Sequence, residues 1–554
     1  MKHHDLTQKF FTPGTIAALS VASVACIGLV VFGIAPGKIE IAHKPVSTIS
    51  KPSAPLVTSQ SEPVFRVPSE LIKADSTVER IYREFDNQLL WQGKHGKDRL
   101  ASLSDAADAA EAQGIETQKL RTAMAGVGTD PARDVALTTA AVELFKDMRT
   151  GVVDFDQAAD YWKIPAEVYD PSADMVAAIQ NARFKQNLTA LAPTHTTYAG
   201  LVKALATYRK LAADGGWTAI PGDTEILLDR EDPRLALVKE RLAAEKYDVK
   251  NAEEFNKSIA VFQTKHGLKP DGRLGKSTLA ELNIPAETRV EQIAVNLERW
   301  RHLPRDFNTD YVMANTAEGT VTVISDGAPK MKLRAITGDR KHQTPVLMSK
   351  ITAVTFNPTW EIPISIAGKE ILPKLKKDPT YLSSNNMIVV NGSVTDPHGL
   401  YMNWTQYDAK SLPFRLRQKA GSDNSLGFVK FQMSNPYNIY IHDTPSRSLF
   451  EKSDRHLSHG CVRVENPRLL AQEVLSGSGK WDEEAVNAAI ASGQTQSILL
   501  KPTLPVYVMY WTAYVEGDQI HFADDAYHRD AAIAQGLREK QPMVAQAARA
   551  TREQ

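Results

Sequence analysis

The first strong pattern along the chain is an uncharged, apolar run close to its N-terminus. No Asp, Glu, Lys or Arg occurs from Phe10 to Gly37, and Thr15–Ala35 is almost entirely apolar. A helix of that length spans about 30 Å, the thickness of a membrane's hydrocarbon core. The apolar part of a cleaved signal peptide is shorter, about 7–15 residues. We therefore expect an uncleaved membrane anchor, with a cleaved signal as the less favoured alternative.

Helical and extended patterns divide the rest of the chain. Residues 76–230 place apolar side chains at helical spacing, which predicts a helical scaffold. Shorter stripes predict three short helices within 231–285, and a further stripe at Val290–Trp300 predicts a helix that returns to the scaffold. After Pro304, β-branched and partly alternating segments such as Val429–Met433 predict strands.

A long insertion interrupts the predicted strands at about 357–425. It is rich in proline near its start, and its segment KEILPKL predicts a short helix. Insertions of this length in a β domain are more often functional lids than plain connections. Its aromatic residues include Tyr401 and Trp404, which we assign to substrate binding, although each ring could equally belong to a core.

These patterns predict a multidomain α+β protein, in which a helical scaffold with an inserted three-helix module precedes a β-rich domain with a capping insertion. The predicted segments, in order, are a cytoplasmic N-terminus (1–14), a transmembrane anchor (15–35), a Pro/Ser-rich linker (36–75), the helical scaffold (76–230), the small module (231–285), the return helix (286–305), the β-rich domain (306–530, with its insertion at about 357–425) and a C-terminal tail (531–554).

Composition and charge exclude some classes of protein. Lys plus Arg total 65 and Asp plus Glu total 65, so the formal charge is zero. Nucleic-acid-binding proteins usually carry excess basic charge, so no nucleic-acid partner is expected.

The charges beside the apolar run predict its orientation in the membrane. Lys2 and Lys9 precede the run, which favours an N-terminus in the cytoplasm. The body is then expected outside the inner membrane, which in a bacterium means the periplasm.

The chain has two cysteines, and only one lies outside the apolar run. Cys26 falls within that run and Cys461 lies in the β-rich part. Oxidising compartments use cysteines in pairs, as disulfides. An unpaired thiol there is either inert and buried or a nucleophile.

The neighbours of Cys461 favour the nucleophile. A predicted strand ends at His442, and Cys461 follows in the string SHGCVR. An ordinary thiol has a pKa of about 8.5 and becomes an efficient nucleophile when an imidazole accepts its proton. Gly460 permits a tight backbone turn, so the N–H groups of Gly460 and Cys461 could face an oxyanion. Arg463 could hold a substrate carboxylate or shape the loop.

A zinc site is the alternative interpretation of these residues. His442, His456, His459 and Cys461 are all legitimate zinc ligands. Closed zinc sites usually show tighter paired spacings than these, so we favour the nucleophile and expect neither metal nor cofactor.

Two strings resemble known families. SHGCVR, with a histidine upstream, resembles the catalytic motif of the L,D-transpeptidases (YkuD domain). AVFQTKHGLKPDGRLGKSTLAEL resembles the peptidoglycan-binding three-helix module. The order of anchor, scaffold, inserted module and catalytic domain resembles the YcbB type within that family, as do the strings NPTWEIPISIAGKEILPKL, NIYIHDTP and VYVMYWTAYV.

The resemblance implies a role for each motif residue. Cys461 is the nucleophile and His442 the general base and acid, and the backbone carbonyl of Asp443 orients the imidazole. Ser458, His459 and Gly460 shape the oxyanion site, and Arg463 lies on the substrate side.

The implied reaction is the formation of 3–3 cross-links between meso-diaminopimelate residues of peptidoglycan, through a thioester on Cys461. The implied partners are donor and acceptor tetrapeptide stems, glycan strands bound by the small module, and the inner membrane. The alternatives are an L,D-carboxypeptidase, a D-amino-acid exchange enzyme, attachment of a lipoprotein to the wall, or a peptidoglycan-binding scaffold without catalysis. A carbapenem is expected to acylate Cys461 and to persist there.

Overall fold

The computed structural model describes residues 65–390, 396–410 and 412–539. The expected cytoplasmic segment, the membrane anchor and most of the linker lie outside the described residues. Among the residues that are described, no helix combines the length and the apolar character needed to cross a membrane.

The N-terminal part is helical, as its apolar spacing predicts. Ser76 caps the helix Thr77–Glu84 by accepting a hydrogen bond from the Glu79 N–H, and Asp130 caps the helix Pro131–Thr150 by accepting one from the Ala132 N–H. The buried Asp134 carboxylate accepts the Tyr82 hydroxyl at 2.6 Å and so joins two of these helices. The helices are α1 (Thr77–Glu84), α2 (Gly93–Ala112), α3 (Gln118–Gly126), α4 (Pro131–Thr150), α5 (Phe155–Ala158), α6 (Ser172–Asn181), α7 (Phe184–Ala190) and α8 (Thr196–Ala213).

The small module follows, with three helices around its own core. The Gln263 side chain bonds the Gly272 N–H, the Arg273 carbonyl and the Thr278 hydroxyl, which fixes the turn between its second and third helices. Its helices are α9 (Arg234–Ala244), α10 (Ala252–Lys265) and α11 (Lys276–Leu282), and the next helix, α12 (Ala286–Arg301), packs against α8. The predicted helices of this region are therefore confirmed.

The C-terminal half is built on strands. These are β1 (Tyr311–Asn315), β2 (Thr320–Ser325), β3 (Ala328–Gly338), β4 (Leu347–Phe356), β5 (Trp360–Ile362), β6 (Met387–Val390), β7 (Arg415–Gln418), β8 (Val429–Met433), β9 (Ile441–His442), β10 (His456–Ser458), β11 (Val462–Val464), β12 (Gln496–Met509), β13 (Ala513–Glu516) and β14 (Gln519–Phe522). The main sheet has the order β10-β3-β11-β9-β8-β4-β12-β1-β2, and because β2 also pairs with β3 the sheet closes on itself. The multidomain α+β class is confirmed.

The insertion forms a separate layer between β4 and β8. Strands β5, β7 and β6 pair in that order, and a π-helical turn at Ala367–Ile371 joins two short helices. Trp404 is only 2% exposed, packs in the core of this layer and donates its indole N–H to the Gly399 carbonyl at 2.9 Å. The expectation that Trp404 presents aromatic surface to substrate is therefore wrong, because the ring fills the insertion's own core. The remaining helices of the chain are α13 (Ile364–Ile366), α14 (Leu372–Leu375), α15 (Tyr381–Ser384), α16 (Pro467–Leu475), α17 (Glu483–Ala491) and α18 (Asp530–Glu539).

A shared core joins the scaffold to the strand-rich domain. Trp300 of α12 stacks on Trp511, with ring centroids 4.8 Å apart. Helix α18 packs against α12, and Arg299 of α12 pairs with Asp530 at 2.7 Å. The expected C-terminal tail thus begins with a packed helix rather than an irregular segment, since Ile533 is fully buried in this core.

Candidate active site

The candidate site lies on one face of strands β8, β9 and β11. Side chains alternate between the two faces of a strand. The core-facing positions of these strands are apolar and buried, and include Phe431, Ile441 and Val462. Lys430 and Arg463 are both register partners of His442, so the three share the opposite face. The polar residues of that face are Lys430, Tyr440, His442, Cys461 and Arg463.

The backbone holds the His442 ring in one tautomer. Its Nδ1 lies 2.6 Å from the carbonyl oxygen of Asp443. A carbonyl only accepts, so Nδ1 carries the proton and Nε2 is left as a base. Burial, and after it the nearby Arg463 guanidinium, lowers the pKa of His442 to about 3, against the opposing effect of the backbone carbonyls of Asp443 and Leu426. The imidazole is therefore neutral over the physiological pH range.

Asp443 is itself fixed by its buried carboxylate. Its Oδ2 accepts the Phe428 N–H at 2.8 Å and its Oδ1 accepts the Thr444 N–H at 2.6 Å. The Arg447 guanidinium forms an ion pair with Asp443 Oδ1 at 2.5 Å. Gly427 has φ +60° and lies so close that a Cβ there would fall 2.3 Å from the Asp443 Cγ. Only glycine fits this position without moving Asp443.

Cys461 precedes β11 and is half-buried, with no disulfide. Burial raises the pKa of its thiol, while the backbone and hydroxyl of Tyr440 and the charges of Lys430 and Arg463 oppose that rise. The thiol donates to the Asn438 carbonyl at 3.5 Å. The resting site thus holds a protonated thiol beside a neutral imidazole.

The register places the thiol and the imidazole within reach of one another. Val462 pairs with Ile441, so Cys461 lies beside Tyr440, two residues before His442 on the neighbouring strand. Strands spaced about 4.8 Å apart with a rise of about 3.3 Å per residue separate the two Cα atoms by roughly 8 Å. Within the described part of the chain the Sγ hydrogen bond goes to Asn438 and not to His442. Hydrogen bonds between such groups often tighten only when substrate binds.

The loop before Cys461 is braced by internal hydrogen bonds. Gly460 has φ +105°, a conformation that favours glycine. Its N–H donates to the Ser458 hydroxyl at 3.1 Å, and that hydroxyl donates to the Cys461 carbonyl at 2.6 Å. The Thr344 hydroxyl donates to the Gly460 carbonyl at 2.8 Å. In this conformation the Gly460 N–H is engaged by Ser458, and of the two backbone groups considered for an oxyanion only the Cys461 N–H stays a candidate.

His459 faces the insertion. Its Nε2 lies 2.7 Å from the Glu370 Oε1 of the π-helical turn, and its ring lies 4.9 Å from that of His342. His342 in turn bonds Asp339 at 3.1 Å. His459 thus links the insertion to the loop that carries Cys461.

The remaining predicted substrate residues differ in exposure. Arg463 is half-buried, and its Nε has no hydrogen-bond partner among the described residues. Burial lowers the pKa of Arg463, and its proximity to Cys461 opposes that shift. Tyr401 is 93% exposed on the insertion, and its backbone N–H donates to Asp396 at 2.7 Å.

The candidate zinc ligands do not converge. His456 uses both ring nitrogens, on the Asp454 carboxylate at 2.8 Å and on the Thr316 carbonyl at 3.0 Å. His459 is engaged by Glu370. Over residues 65–390, 396–410 and 412–539, no group of three or more His, Cys, Asp or Glu side chains is arranged to hold a metal ion.

Comparison with known families assigns two parts of the chain. Residues 309–487 match the YkuD family of L,D-transpeptidase catalytic domains. The chain therefore carries a YkuD-type L,D-transpeptidase catalytic domain. Residues 76–205 match the family described as a scaffold domain. Every site residue described above falls within the YkuD domain.

Individual relatives match about half of the chain or less. A Haemophilus influenzae protein named "Putative L,D-transpeptidase" is 35% identical over 290 residues, which is 51% of this chain and 57% of that relative. The L,D-transpeptidase of Xylanimonas cellulosilytica (residues 123–326) is 14% identical, with a TM-score of 0.18, and the match covers 52% of this chain and 98% of that one. L,D-transpeptidase 3 of Mycobacterium tuberculosis, in complex with a faropenem-derived adduct, is 16% identical with a TM-score of 0.18, over 38% of this chain and 65% of that one. TM-scores of this size support no argument about fold or activity.

Several residues of the YkuD domain site were missed by sequence reasoning. Tyr440 and Lys430 contact each other, with the Lys430 Nζ 4.1 Å from the Tyr440 ring centroid, and both influence Cys461. Alternation backward from His442 marks Tyr440 as sharing its face, so this residue could have been found. Lys430 and Glu370 come from other segments, and only the sheet register and the position of the insertion bring them to the site.

Proposed function

We propose that the protein is a peptidoglycan L,D-transpeptidase that forms 3–3 cross-links through a thioester on Cys461. The observation that carries this proposal is the hydrogen bond from His442 Nδ1 to the Asp443 carbonyl. It leaves Nε2 as a base on the sheet face that also carries the thiol. The YkuD domain match supports the same class of reaction.

The first half-reaction is acylation. The Cys461 thiol gives its proton to His442 Nε2, and the sulfur attacks the carbonyl carbon that joins meso-diaminopimelate to D-alanine in a donor stem. The Cys461 N–H and the positive charges of Arg463 and Lys430 stabilise the oxyanion. The imidazolium then protonates the leaving amine, the C–N bond breaks, and D-alanine departs, leaving a thioester.

The second half-reaction transfers the acyl group. The side-chain amine of meso-diaminopimelate in an acceptor stem loses a proton to His442 and attacks the thioester carbonyl. The C–S bond breaks, the thiol recovers its proton, and an amide joins the two stems. The donor peptide bond supplies the energy through the thioester, so the reaction consumes no nucleotide.

The rest of the chain is assigned to delivery of the substrate. The insertion at about 357–425 closes over the donor stem and excludes water in favour of the acceptor amine. The small module binds glycan strands. The segment 15–35 anchors the protein in the inner membrane, with its body in the periplasm.

The test is mass spectrometry of muropeptides after incubation of peptidoglycan tetrapeptide stems with purified protein. We expect 3–3 dimers with the wild type and none with Cys461→Ala, whose fold should be unchanged because the thiol forms no disulfide. His442→Ala should slow acylation by roughly 10²–10⁴-fold, the usual contribution of a general base. Dimer formation by a folded Cys461→Ala protein would refute the proposal.

The same experiment separates the alternatives. Tripeptide products without dimers would identify an L,D-carboxypeptidase, and incorporation of a free D-amino acid would identify an exchange enzyme. Absence of any acyl-enzyme in the wild type would indicate a peptidoglycan-binding scaffold without catalysis.

A further inference from the structure

A large groove lies away from the nucleophile, where three parts of the molecule meet. Helix α8 forms one wall, the start of β3 and its neighbours β1 and β2 form another, and the small module with the β13–β14 hairpin forms the third. Its volume is about 1100 Å³. Ligand sites commonly occur between domains and measure about 300–1,000 Å³, so this groove has the size of a binding site for an extended ligand.

The groove wall contains a buried acceptor with no donor. His266 of the small module is 4% exposed, and its Nδ1 lies 2.8 Å from the Phe262 carbonyl. Nδ1 therefore carries the proton, and Nε2 is a bare acceptor. Nε2 has no hydrogen-bond partner among the described residues. Burial lowers the pKa of His266 to about 3, opposed by Glu245 and assisted by Arg289 and Arg241, so the ring stays neutral.

The same groove also contains a buried donor with no acceptor. Trp511 lines the groove, is 4% exposed, and its indole N–H has no partner within the described ranges. Buried polar groups in native proteins are normally hydrogen-bonded, and exceptions call for an explanation. Both residues line the groove, and a ligand that supplies one donor and one acceptor would satisfy both groups once their side chains turn toward it.

The charges of the groove favour a ligand without strong net charge. Its lining includes lysines such as Lys203 and Lys246 together with acids such as Glu516 and Asp518. Lys332 is neutralised by Glu516 and by Glu318. A peptide stem rich in carboxylates would instead favour a predominantly basic lining. Hydroxyl and acetamido groups on sugar rings offer donors and acceptors without charge, and the flat faces of the rings pack on aromatic side chains such as Tyr247.

We propose that this groove binds a glycan strand of N-acetylated amino sugars, held jointly by the scaffold, the small module and the YkuD domain. The inference rests on the proposed peptidoglycan function and moves the glycan contact from the small module alone to the junction between the domains. His266 accepts a hydrogen bond from the strand and Trp511 donates one.

The groove lies at a suitable distance from the nucleophile. Strand β3 carries both Lys332, which lines the groove, and Gly338, which pairs with Ser458 of the catalytic loop. Six strand residues span about 20 Å. A glycan held at one end of β3 keeps its peptide stems at high effective concentration near the other end.

The direct test is the binding of glycan strands from which the peptide stems have been removed. Thr207 lines the groove from an exposed position on α8, so Thr207→Trp should fill the groove without disturbing the core. Ala206 is the exposed neighbour on the same helix and does not line the groove, which makes Ala206→Trp the matched control. We expect Thr207→Trp to weaken binding at least about tenfold and Ala206→Trp to bind like the wild type.

A second variant removes the unpaired acceptor together with the Nδ1–H that donates to the Phe262 carbonyl. His266→Phe keeps a ring that can stack on Phe262, whose centroid lies 3.9 Å away, but it lacks Nε2. We expect a loss of affinity of about tenfold in a folded protein, since the Phe262 carbonyl still accepts the backbone N–H of residue 266.

Three outcomes would overturn the inference. These are failure of the stripped strands to bind the wild type, wild-type affinity in Thr207→Trp together with His266→Phe, and groove-dependent binding of free tetrapeptide stems instead of glycan. A carbapenem adduct on the wild-type protein is measured in parallel. Its absence would refute the catalytic proposal, while the glycan measurements would still decide the groove.

Discussion

Gly427 offers a sharp test of how His442, the proposed general base, is positioned. A Cβ at this residue would lie 2.3 Å from Asp443 Cγ and 2.4 Å from its Oδ2, far inside contact distance. In Gly427→Ala the Asp443 side chain has to move, and the carboxylate that binds the Phe428 and Thr444 N–H groups moves with it. The Asp443 carbonyl that orients His442 belongs to the same residue, so the imidazole is displaced as well.

The expected loss of stability in Gly427→Ala has two contributions. A non-glycine residue in the left-handed region costs about 1–2 kcal/mol, and buried hydrogen bonds left unmade cost about 1–3 kcal/mol more. We therefore expect Gly427→Ala to lower the free energy of unfolding by about 2–5 kcal/mol. A displacement of about 1 Å in a catalytic group can cost roughly 10²-fold in rate, so acylation should fall by up to that factor.

The chain supplies a control with the same backbone strain and no clash. Gly493 has φ +65°, and a Cβ there would meet nothing within 4 Å. Gly493→Ala should lose only the about 1–2 kcal/mol of the left-handed backbone, and its acylation should be unchanged. The measurements are denaturant unfolding and the rate of carbapenem adduct formation by intact mass. Equal stability losses and equal acylation rates in the two variants would refute the reasoning.

Three further predictions concern the protonation state of the site, the buried ion pairs and the insertion. Burial lowers the pKa of His442 to about 3 and raises that of the Cys461 thiol, so the rate of carbapenem acylation should change little from about pH 5 to 8. A fall in the rate near the ordinary histidine pKa of about 6.5 would contradict this. Glu298 and Arg301 form a fully buried ion pair at 2.9 Å, and Glu298→Ala leaves the Arg301 charge without this partner. The free energy of unfolding should fall by about 3–5 kcal/mol, and a loss below about 1 kcal/mol in denaturant titration would contradict this. Shortening the insertion at about 357–425 should raise the ratio of hydrolysis to cross-linking, while one carbapenem adduct per chain still forms on Cys461. An unchanged product ratio would show that the insertion does not exclude water.

The sequence predicts best what depends on short-range pattern. Helical spacing identifies α9, α10 and α11, because each must bury one stripe against a small core. Alternation identifies β8, and the string SHGCVR locates the nucleophile loop. These features depend on residues close together in the chain, so no knowledge of the packing is needed.

The sequence does not predict the positions of residues that depend on packing between distant segments. Trp404 was assigned to substrate, but its ring lies in the core of the insertion, since aromatic composition does not reveal which face is covered. Helix α18 was expected to be part of a tail, yet Ile533 is buried against the scaffold. Glu370 reaches His459 across 89 residues of sequence, and only the fold of the insertion brings the two together.

The charges around the candidate site explain why a neutral thiol and a neutral imidazole suit the proposed chemistry. Arg463 and Lys430 favour negative charge at Cys461 and disfavour positive charge on His442. The thiolate therefore forms together with proton transfer rather than in advance of it. An imidazolium whose pKa lies well below the ordinary histidine value of about 6.5 is a stronger acid than usual, and it gives up its proton more readily. The leaving group in the proposed acylation is an amine, which departs only once protonated. In the proposed acylation, the burial that keeps the resting thiol protonated also favours proton transfer from the His442 imidazolium to the leaving amine as the carbon–nitrogen bond breaks.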